Sequence, residues 1–150
     1  MRTTEPTRAE LEEMSRCACL ALRRTARIIT QFYDAALRPH GLRATQFPIL
    51  VAASQREVAP LAALAEKLGM ERTTLLRNVR PLARRELVEV STPAGSRRTE
   101  IRITPAGRAL LARAYPAWKR AQTQTLRGLE GAGWSRAQEA LAKAMRNTGS

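Results

Sequence analysis

The stretch from residue 72 to residue 102 concentrates side chains whose chemistry suits a polyanion. It holds eight arginines against three acidic residues, with Thr73, Thr74 and Asn78 among them. The forked donors and acceptors of Arg and Asn match guanine and adenine edges in the major groove of a duplex. Threonine hydroxyls and the free amides at a helix start bind phosphate oxygens. The pattern therefore predicts a surface for duplex DNA; a basic helix that only faces solvent is the alternative.

Helical periodicity puts this chemistry on the outer side of one helix. Over Glu71–Arg85, apolar side chains recur at Leu75, Leu76, Val79 and Leu82, which is the spacing of an amphipathic helix with one buried face. The early and outer faces are left to side chains that we expect to contact bases or phosphates: Arg72, Thr73, Thr74, Arg77, Asn78 and Arg80. The sequence thus predicts a recognition helix.

A shorter helix precedes this one, and a hairpin follows it. The preceding helix ends at Gly69, a residue suited to a helix C-terminus. Leu87–Val90 and Thr99–Ile103 have the pattern of two strands joined by a short turn. Arg97 and Arg98 lie near the tip, where we expect them to reach the flanking minor groove. A charged turn that serves only solubility is the alternative.

These elements predict a mainly α fold with a small β-hairpin wing. Two short helices and a hairpin within residues 43–103 are typical of a winged helix-turn-helix. Long helical patterns flank it over residues 8–38 and 105–147, within a single domain of residues 1–150. About 30 residues of helix span roughly 45 Å, which one small domain cannot bury, so we expect both to be dimerisation helices. The second one is predicted to start with Thr104 as N-cap and Pro105 in the first turn, and three glycines are predicted to interrupt it: Gly128, Gly131 and Gly133. A further short helix is predicted over Arg43–Ser54, bent at Pro48 at the cost of a backbone bond.

Several motifs resemble the MarR family of bacterial transcriptional regulators. They are LAEKLGM, ERTTLLRNVRPLARRELV and IRITPAGRALL, with GLRATQFPIL upstream, so that the resemblance covers nearly the whole chain. It implies a homodimer that binds a pseudo-palindromic operator in double-stranded DNA, usually as a repressor released by a ligand or an oxidant. The family's wing often carries Asp-x-Arg; here Gly95 stands at the Asp position, while Arg97 keeps the Arg.

Cys19 and Tyr33 carry a second resemblance, to the peroxide-sensing OhrR branch of the same family. It implies a redox sensor in which tyrosines hydrogen-bond the thiolate; the second tyrosine position falls on Ala44. A cysteine that only packs a helix is the alternative. Cys17 is two residues from Cys19, so on one helix their side chains should diverge. With His40 isolated as well, we expect no metal site.

The resemblance also implies a ligand site between the dimerisation helices and the DNA-binding part. Aromatic and arginine side chains in these segments suit a small aromatic acid, and core or interface packing is their alternative role. The candidates are Arg27, Phe32, Tyr33, Phe47, Tyr115 and Trp118.

Composition restricts the remaining function classes. The 150 residues carry 26 Lys and Arg against 13 Asp and Glu, a formal net charge of +13 that points to a nucleic-acid partner. The sequence has no uncharged run long enough to span a membrane, and its N-terminus lacks a signal-peptide pattern. We therefore expect a cytoplasmic protein. One histidine, with no nucleophile triad, phosphate loop or metal cluster, argues against an enzyme and a cofactor. A non-specific basic structural protein that binds nucleic acid is the alternative to a regulator.

Overall fold

A computed structural model describes residues 5–128 and 133–148. Within them the chain forms seven α-helices and a small sheet, which confirms the mainly α fold with a β wing. The helices are α1 Arg8–Ser15, α2 Ala18–Leu37, α3 Phe47–Ser54, α4 Leu61–Leu68, α5 Arg72–Arg84, α6 Pro105–Arg127 and α7 Trp134–Thr148. The strands are β1 Ala59–Pro60, β2 Val88–Ser91 and β3 Glu100–Ile103.

The predicted pair of short helices is formed by α4 and α5. Gly69 ends α4 with a positive φ of 60°, a left-handed conformation that glycine adopts without strain. Three side chains of α5 are buried at the spacing that the sequence predicted: Leu75, Val79 and Leu82. Pro81 lies inside α5, within one turn of its end.

The wing has one more strand than the hairpin that the sequence predicted. β2 and β3 pair antiparallel, and β1 joins the other edge of β3 in the order β1-β3-β2. Ala59 lies opposite Ile101, and Pro60 lies opposite Glu100. β1 has only two residues, one of them a proline, so the sequence shows no strand periodicity there. It is a strand only because it pairs with the neighbouring edge of β3.

The first long helix is broken, which corrects the prediction of one helix over residues 8–38. Cys17 has an extended ψ of 118°, and it separates α1 from α2. The Ser15 hydroxyl donates to the Glu12 carbonyl, 2.7 Å away, and thereby competes with the helical backbone bond. α1 has no buried residue, so no packing opposes the break; its N-terminus is stabilised by a capping box between Thr7 and Glu10.

The helix predicted to begin near Arg43 begins at Phe47 instead. Residues 43–46 form a turn in which the Gln46 N–H donates to the Arg43 carbonyl. Pro48 was expected to bend this helix at the cost of a backbone bond. It occupies the first turn of α3, where the N–H has no intrahelical partner, so it costs no bond.

α6 is attached to the wing at its first residues. Thr104, the predicted N-cap, accepts from the Gly107 N–H at 3.0 Å and donates to the Glu86 carbonyl at 2.7 Å. A Cβ on Gly107 would lie 2.2 Å from the Leu87 carbonyl oxygen, so only glycine allows this approach. α6 ends at Arg127 as predicted, and Gly131 of the predicted interruption lies outside the described residues.

Candidate nucleic-acid interface

The exposed face of α5 carries most of the predicted DNA-contacting side chains. Because Leu75, Val79 and Leu82 hold one side of the helix in the core, the opposite side faces solvent. The exposed residues on it are Arg72, Thr73, Arg77, Arg80 and Arg84. Four of them are arginines, so this face combines positive charge with the fork geometry that suits phosphates and guanine.

Two predicted contact residues of α5 are half-buried and hydrogen-bonded within the chain. Asn78 Oδ1 accepts from the Thr45 hydroxyl at 2.9 Å, and Asn78 Nδ2 donates to the Thr74 carbonyl at 3.0 Å. Thr74 is half-buried on the same side of the helix. The sequence could not indicate Thr45 as a partner, because 33 residues separate it from Asn78.

The wing tip presents both predicted arginines to solvent. Gly95 has a φ of 74° and forms the turn, and the Ser96 N–H donates to the Pro93 carbonyl. The Arg98 N–H donates to the Ser96 hydroxyl at 3.0 Å. Gly95 thus provides backbone conformation where related wings often have an aspartate. Ser96, which the sequence analysis did not single out, supports the backbone of the tip.

A cleft of about 470 Å³ separates the wing from the start of α4 and α5. Three predicted cations line it together, namely Arg72 from α5 and Arg97 and Arg98 from the wing. Its one acidic lining residue is Glu66. The Leu61 N–H donates to the Thr99 carbonyl at 2.9 Å, which holds the wing against α4. Three guanidinium groups around an open cleft suit the phosphate backbone of a nucleic acid.

Both cysteines line one hollow on α2 and the residue before it. Cys17 lies outside the helix that contains Cys19, so the rule for residues two apart on a helix does not apply. Both thiols are exposed. The hollow measures about 570 Å³, and its other lining residues are Leu20, Arg23, Arg24 and Arg27.

Tyr33 is on the same helix as Cys19 but far from it. Fourteen residues of helix span about 21 Å, so the two side chains of one chain cannot meet. The Tyr33 hydroxyl donates instead to Gln122 on α6. The Ala44 N–H donates to the Asp34 carboxylate at 2.6 Å, so this position contributes a backbone contact where the resemblance places a tyrosine. A Cys19–Tyr33 contact would have to form between two chains.

The predicted ligand-site residues are divided between two places. Phe47 and Trp118 stack with ring centroids 5.7 Å apart, and both line a hollow of about 230 Å³ with Tyr33. Tyr115 packs on the outer side of Trp118 at 5.9 Å, and the Phe32 ring meets Tyr33 edge-on. Arg27 lines the cysteine hollow instead.

The described residues contain neither a metal cluster nor a membrane helix. In residues 5–128 and 133–148, no three His, Cys, Asp or Glu side chains are placed to hold a metal ion. No helix in that part of the chain has the length and apolar character needed to cross a bilayer.

Two short helices, a wing and a cationic cleft between them define the winged helix-turn-helix class of DNA-binding regulators. The model of the MarR family matches residues 42–99, which include α3, α4, α5, β2 and the tip of the wing. The chain belongs to the MarR family. No curated protein matches the chain.

Solved structures extend the likeness to the long helices. The Mycobacterium tuberculosis transcriptional regulator MosR in complex with DNA is 38% identical, with 87% of this chain and 95% of that chain covered and a TM-score of 0.78. A second structure of MosR is 36% identical, with 88% of this chain and 95% of that chain covered and a TM-score of 0.76. CouR from Rhodococcus jostii RHA1 bound to p-coumaroyl-CoA is 24% identical over 89% of each chain, with a TM-score of 0.66, and shares the fold.

Proposed function

We propose that this MarR-family regulator is a homodimer that recognises a pseudo-palindromic operator and represses transcription from it. The observation that carries the proposal is the cleft in which Arg72, Arg97 and Arg98 converge beside the exposed face of α5. MosR, with 38% identity, was crystallised with DNA. The cleft and the relative together support duplex DNA as the partner.

The dimensions of the site suit a duplex. An α-helix with its side chains is about 10–12 Å across, and the major groove is about 12 Å wide. With α5 in the groove, Arg77 and Arg80 face the bases and nearby phosphates. Arg97 and Arg98 then lie beside the neighbouring backbone and minor groove. Each contact made by one chain is repeated in the second half-site of the operator.

Exposed apolar side chains support the homodimer. Of the twelve large hydrophobic residues that are exposed in the described part of the chain, eleven lie on α1, α2, α6 or α7. Leu11, Leu20 and Ile28 are each more than half exposed. A soluble monomer rarely leaves so many large apolar side chains together in water, so a second copy is the fitting partner for these helices.

The test of the function is operator binding at increasing salt. Genomic fragments retained by the purified protein are sequenced, and the enriched duplex is compared with a scrambled duplex of the same composition. We expect the preference for the enriched duplex to persist as salt weakens both affinities, because base contacts do not depend on counterion release. Equal affinities at every salt concentration would support the non-specific structural protein instead. Transcription from the enriched promoter, with and without the protein, tests repression.

The cysteine hollow supports an oxidant as the effector. A hydroperoxide would oxidise the thiolate to a sulfenic acid and leave as the alcohol, with its terminal oxygen transferred to sulfur. Arg23, Arg24 and Arg27 line the same hollow, and both thiols are open to solvent. We expect hydroperoxide to release the wild-type protein from DNA but not the Cys17→Ser/Cys19→Ser variant; the two single variants then assign the response. A wild-type protein that stays bound in hydroperoxide excludes this effector.

The aromatic hollow supports a small aromatic acid as an alternative effector. Its volume of about 230 Å³ is below the roughly 300–1,000 Å³ of common ligand sites, so it would admit only a small ring. Phe47 and Trp118 supply flat apolar walls for such a ring. Salicylate, used as a probe, should raise the unfolding temperature of the wild-type protein and have no effect on a Trp118→Ala variant.

A further inference from the structure

We propose that Asn78 is a positioning residue that orients α5 on DNA through Thr45, and that it does not read a base. The inference rests on the proposed binding of DNA by α5. It concerns the one predicted contact residue of that helix whose side chain is already bonded at both ends of its amide. The juxtaposition that carries it is the hydrogen bond between Thr45 in the turn before α3 and Asn78 in the middle of α5.

The hydrogen bonds of Asn78 use the atoms that base recognition would need. Reading adenine takes both the side-chain oxygen and the side-chain nitrogen of an asparagine in a bidentate contact. Here the oxygen accepts from the Thr45 hydroxyl, and the nitrogen donates to the Thr74 carbonyl. The Thr74 carbonyl only accepts, so it fixes which end of the amide faces it and excludes the flipped orientation. The two bonds hold the amide in one plane, and turning that plane towards a base would break them.

Thr45 is itself held in place. It lies in a turn whose next residue, Gln46, is buried and accepts from the Arg43 N–H at 3.1 Å. On the other side, the Ala44 N–H donates to the Asp34 carboxylate of α2 at 2.6 Å. The Thr45 hydroxyl therefore presents a fixed donor to α5. Two hydrogen bonds, joined by the peptide bond between Ala44 and Thr45, thus connect α2 with α5.

Directional bonds hold α5 at two levels: the Arg85 guanidinium donates to the Gly41 carbonyl just past its C-terminal end, and the Thr45 hydroxyl donates to Asn78 in its middle. Leu75, Val79 and Leu82 anchor the helix by apolar burial, which depends on area and only weakly on rotation about the helix axis. The Thr45–Asn78 bond has a preferred length and angle, so it selects one rotation. That rotation decides whether the arginines of the exposed face point towards the bases or past them.

The experiment is a double-mutant cycle on operator binding. The variants are Thr45→Val, which keeps the shape and removes the hydroxyl, Asn78→Ala, and the two combined; Thr45→Ser is the conservative control. Affinity is measured for the enriched operator, for the scrambled duplex and for a set of operators with single base-pair changes. Circular dichroism and thermal unfolding verify that each variant is folded.

We expect each single variant to bind the operator about three- to tenfold more weakly, the range of one hydrogen bond. The double variant should lose no more operator affinity than the single variant that binds more weakly, because both changes break the same bond. The order of preference among altered operators should stay that of the wild type, while the ratio of operator to scrambled affinity falls. Thr45→Ser keeps the hydroxyl and should bind as the wild type does. The fall in the ratio of operator to scrambled affinity is the result that a mere loss of stability does not predict, because a smaller folded fraction weakens binding to both duplexes equally.

Three results would overturn the inference. The first is a Thr45→Val variant that binds the operator as tightly as the wild type does. The second is a double variant whose fold-loss of operator affinity equals the product of the two single fold-losses. The third is an Asn78→Ala variant that loses its preference at one base pair while Thr45→Val keeps it, since that result makes Asn78 a base reader. A wild-type chain with no preference for any fragment contradicts the proposed function itself, so the two failures are distinguishable.

Discussion

The winged part of this chain buries its large apolar side chains, whereas the long helices leave many of theirs exposed. The largest fully buried side chains all fall between Leu37 and Ile101. Outside that range, α1 and most of α2 leave their apolar residues in solvent. The winged part therefore completes its core within one chain, whereas the long helices present apolar surface that only another molecule can cover.

The net charge of the two regions does not follow the same division as the burial of their apolar side chains. Residues 43–103 contain eleven Lys and Arg and six Asp and Glu. Residues 8–38 and 105–147 together contain fourteen Lys and Arg and six Asp and Glu. The larger net positive charge thus lies outside the predicted DNA-binding part. Net charge alone does not indicate an interface, so the proposed one rests on the convergence of Arg72, Arg97 and Arg98 on one cleft.

The largest expected effect concerns the core of the winged part. Leu75 is fully buried in α5, and Leu75→Ala should lower the free energy of unfolding by about 2–5 kcal/mol, because it leaves a cavity. Urea unfolding at several protein concentrations measures this. The loss should not vary with concentration, since the cavity lies within one chain. A loss that disappears at high concentration would mean that this core also depends on a partner.

A charge on the long helices should separate the dimer. Ile28 is 57% exposed on α2, and Ile28→Asp should yield a monomer in sedimentation experiments. Operator affinity should fall about hundredfold, because the two half-sites no longer bind as one unit. Val90→Asp is the matched control, because it changes an exposed apolar residue of the wing. It should leave the sedimenting species a dimer. If Ile28→Asp stays dimeric, this face of α2 is not the interface.

An arginine on α5 should matter more for binding than one on α6. Arg77→Ala should weaken operator binding by about 1–3 kcal/mol, because its guanidinium faces the groove. Arg120→Ala removes the same charge from an exposed position on α6 and should change operator affinity by less than about 0.5 kcal/mol. Fluorescence anisotropy at one salt concentration compares them. Equal losses would favour non-specific attraction of the whole charged chain over recognition by α5.

The smallest effects come from two helix caps in the two regions. Thr104→Ala should lower the free energy of unfolding by about 1 kcal/mol, because Thr104 caps α6 and bonds the Glu86 carbonyl. Thr7→Ala removes the cap of α1, which has no buried residue, and should leave global unfolding unchanged in the Ile28→Asp background. Equal losses from both caps would show that α1 is packed within a single chain.

Elements with strong local signals were predicted correctly from the sequence. The spacing of Leu75, Val79 and Leu82 indicated α5, Gly69 indicated the end of α4, and Thr104 with Pro105 indicated the start of α6. The signals lie within a few residues, where backbone conformation and side-chain periodicity act directly. The strand β1 and the helix break at Cys17 had no such signal, because one depends on pairing with β3 and the other on the absence of packing.

The amino-acid sequence by itself determined which residue types are available and which helices carry them: arginines on the outer face of α5, two arginines at the wing tip, and apolar stripes on the long helices. Only the tertiary structure decided which of these groups meet. It placed Arg72 beside Arg97 and Arg98, joined Asn78 to Thr45, and joined Tyr33 to Gln122. Local propensity acts over neighbouring residues, whereas contacts between residues far apart in the chain depend on how the packed core orients whole elements.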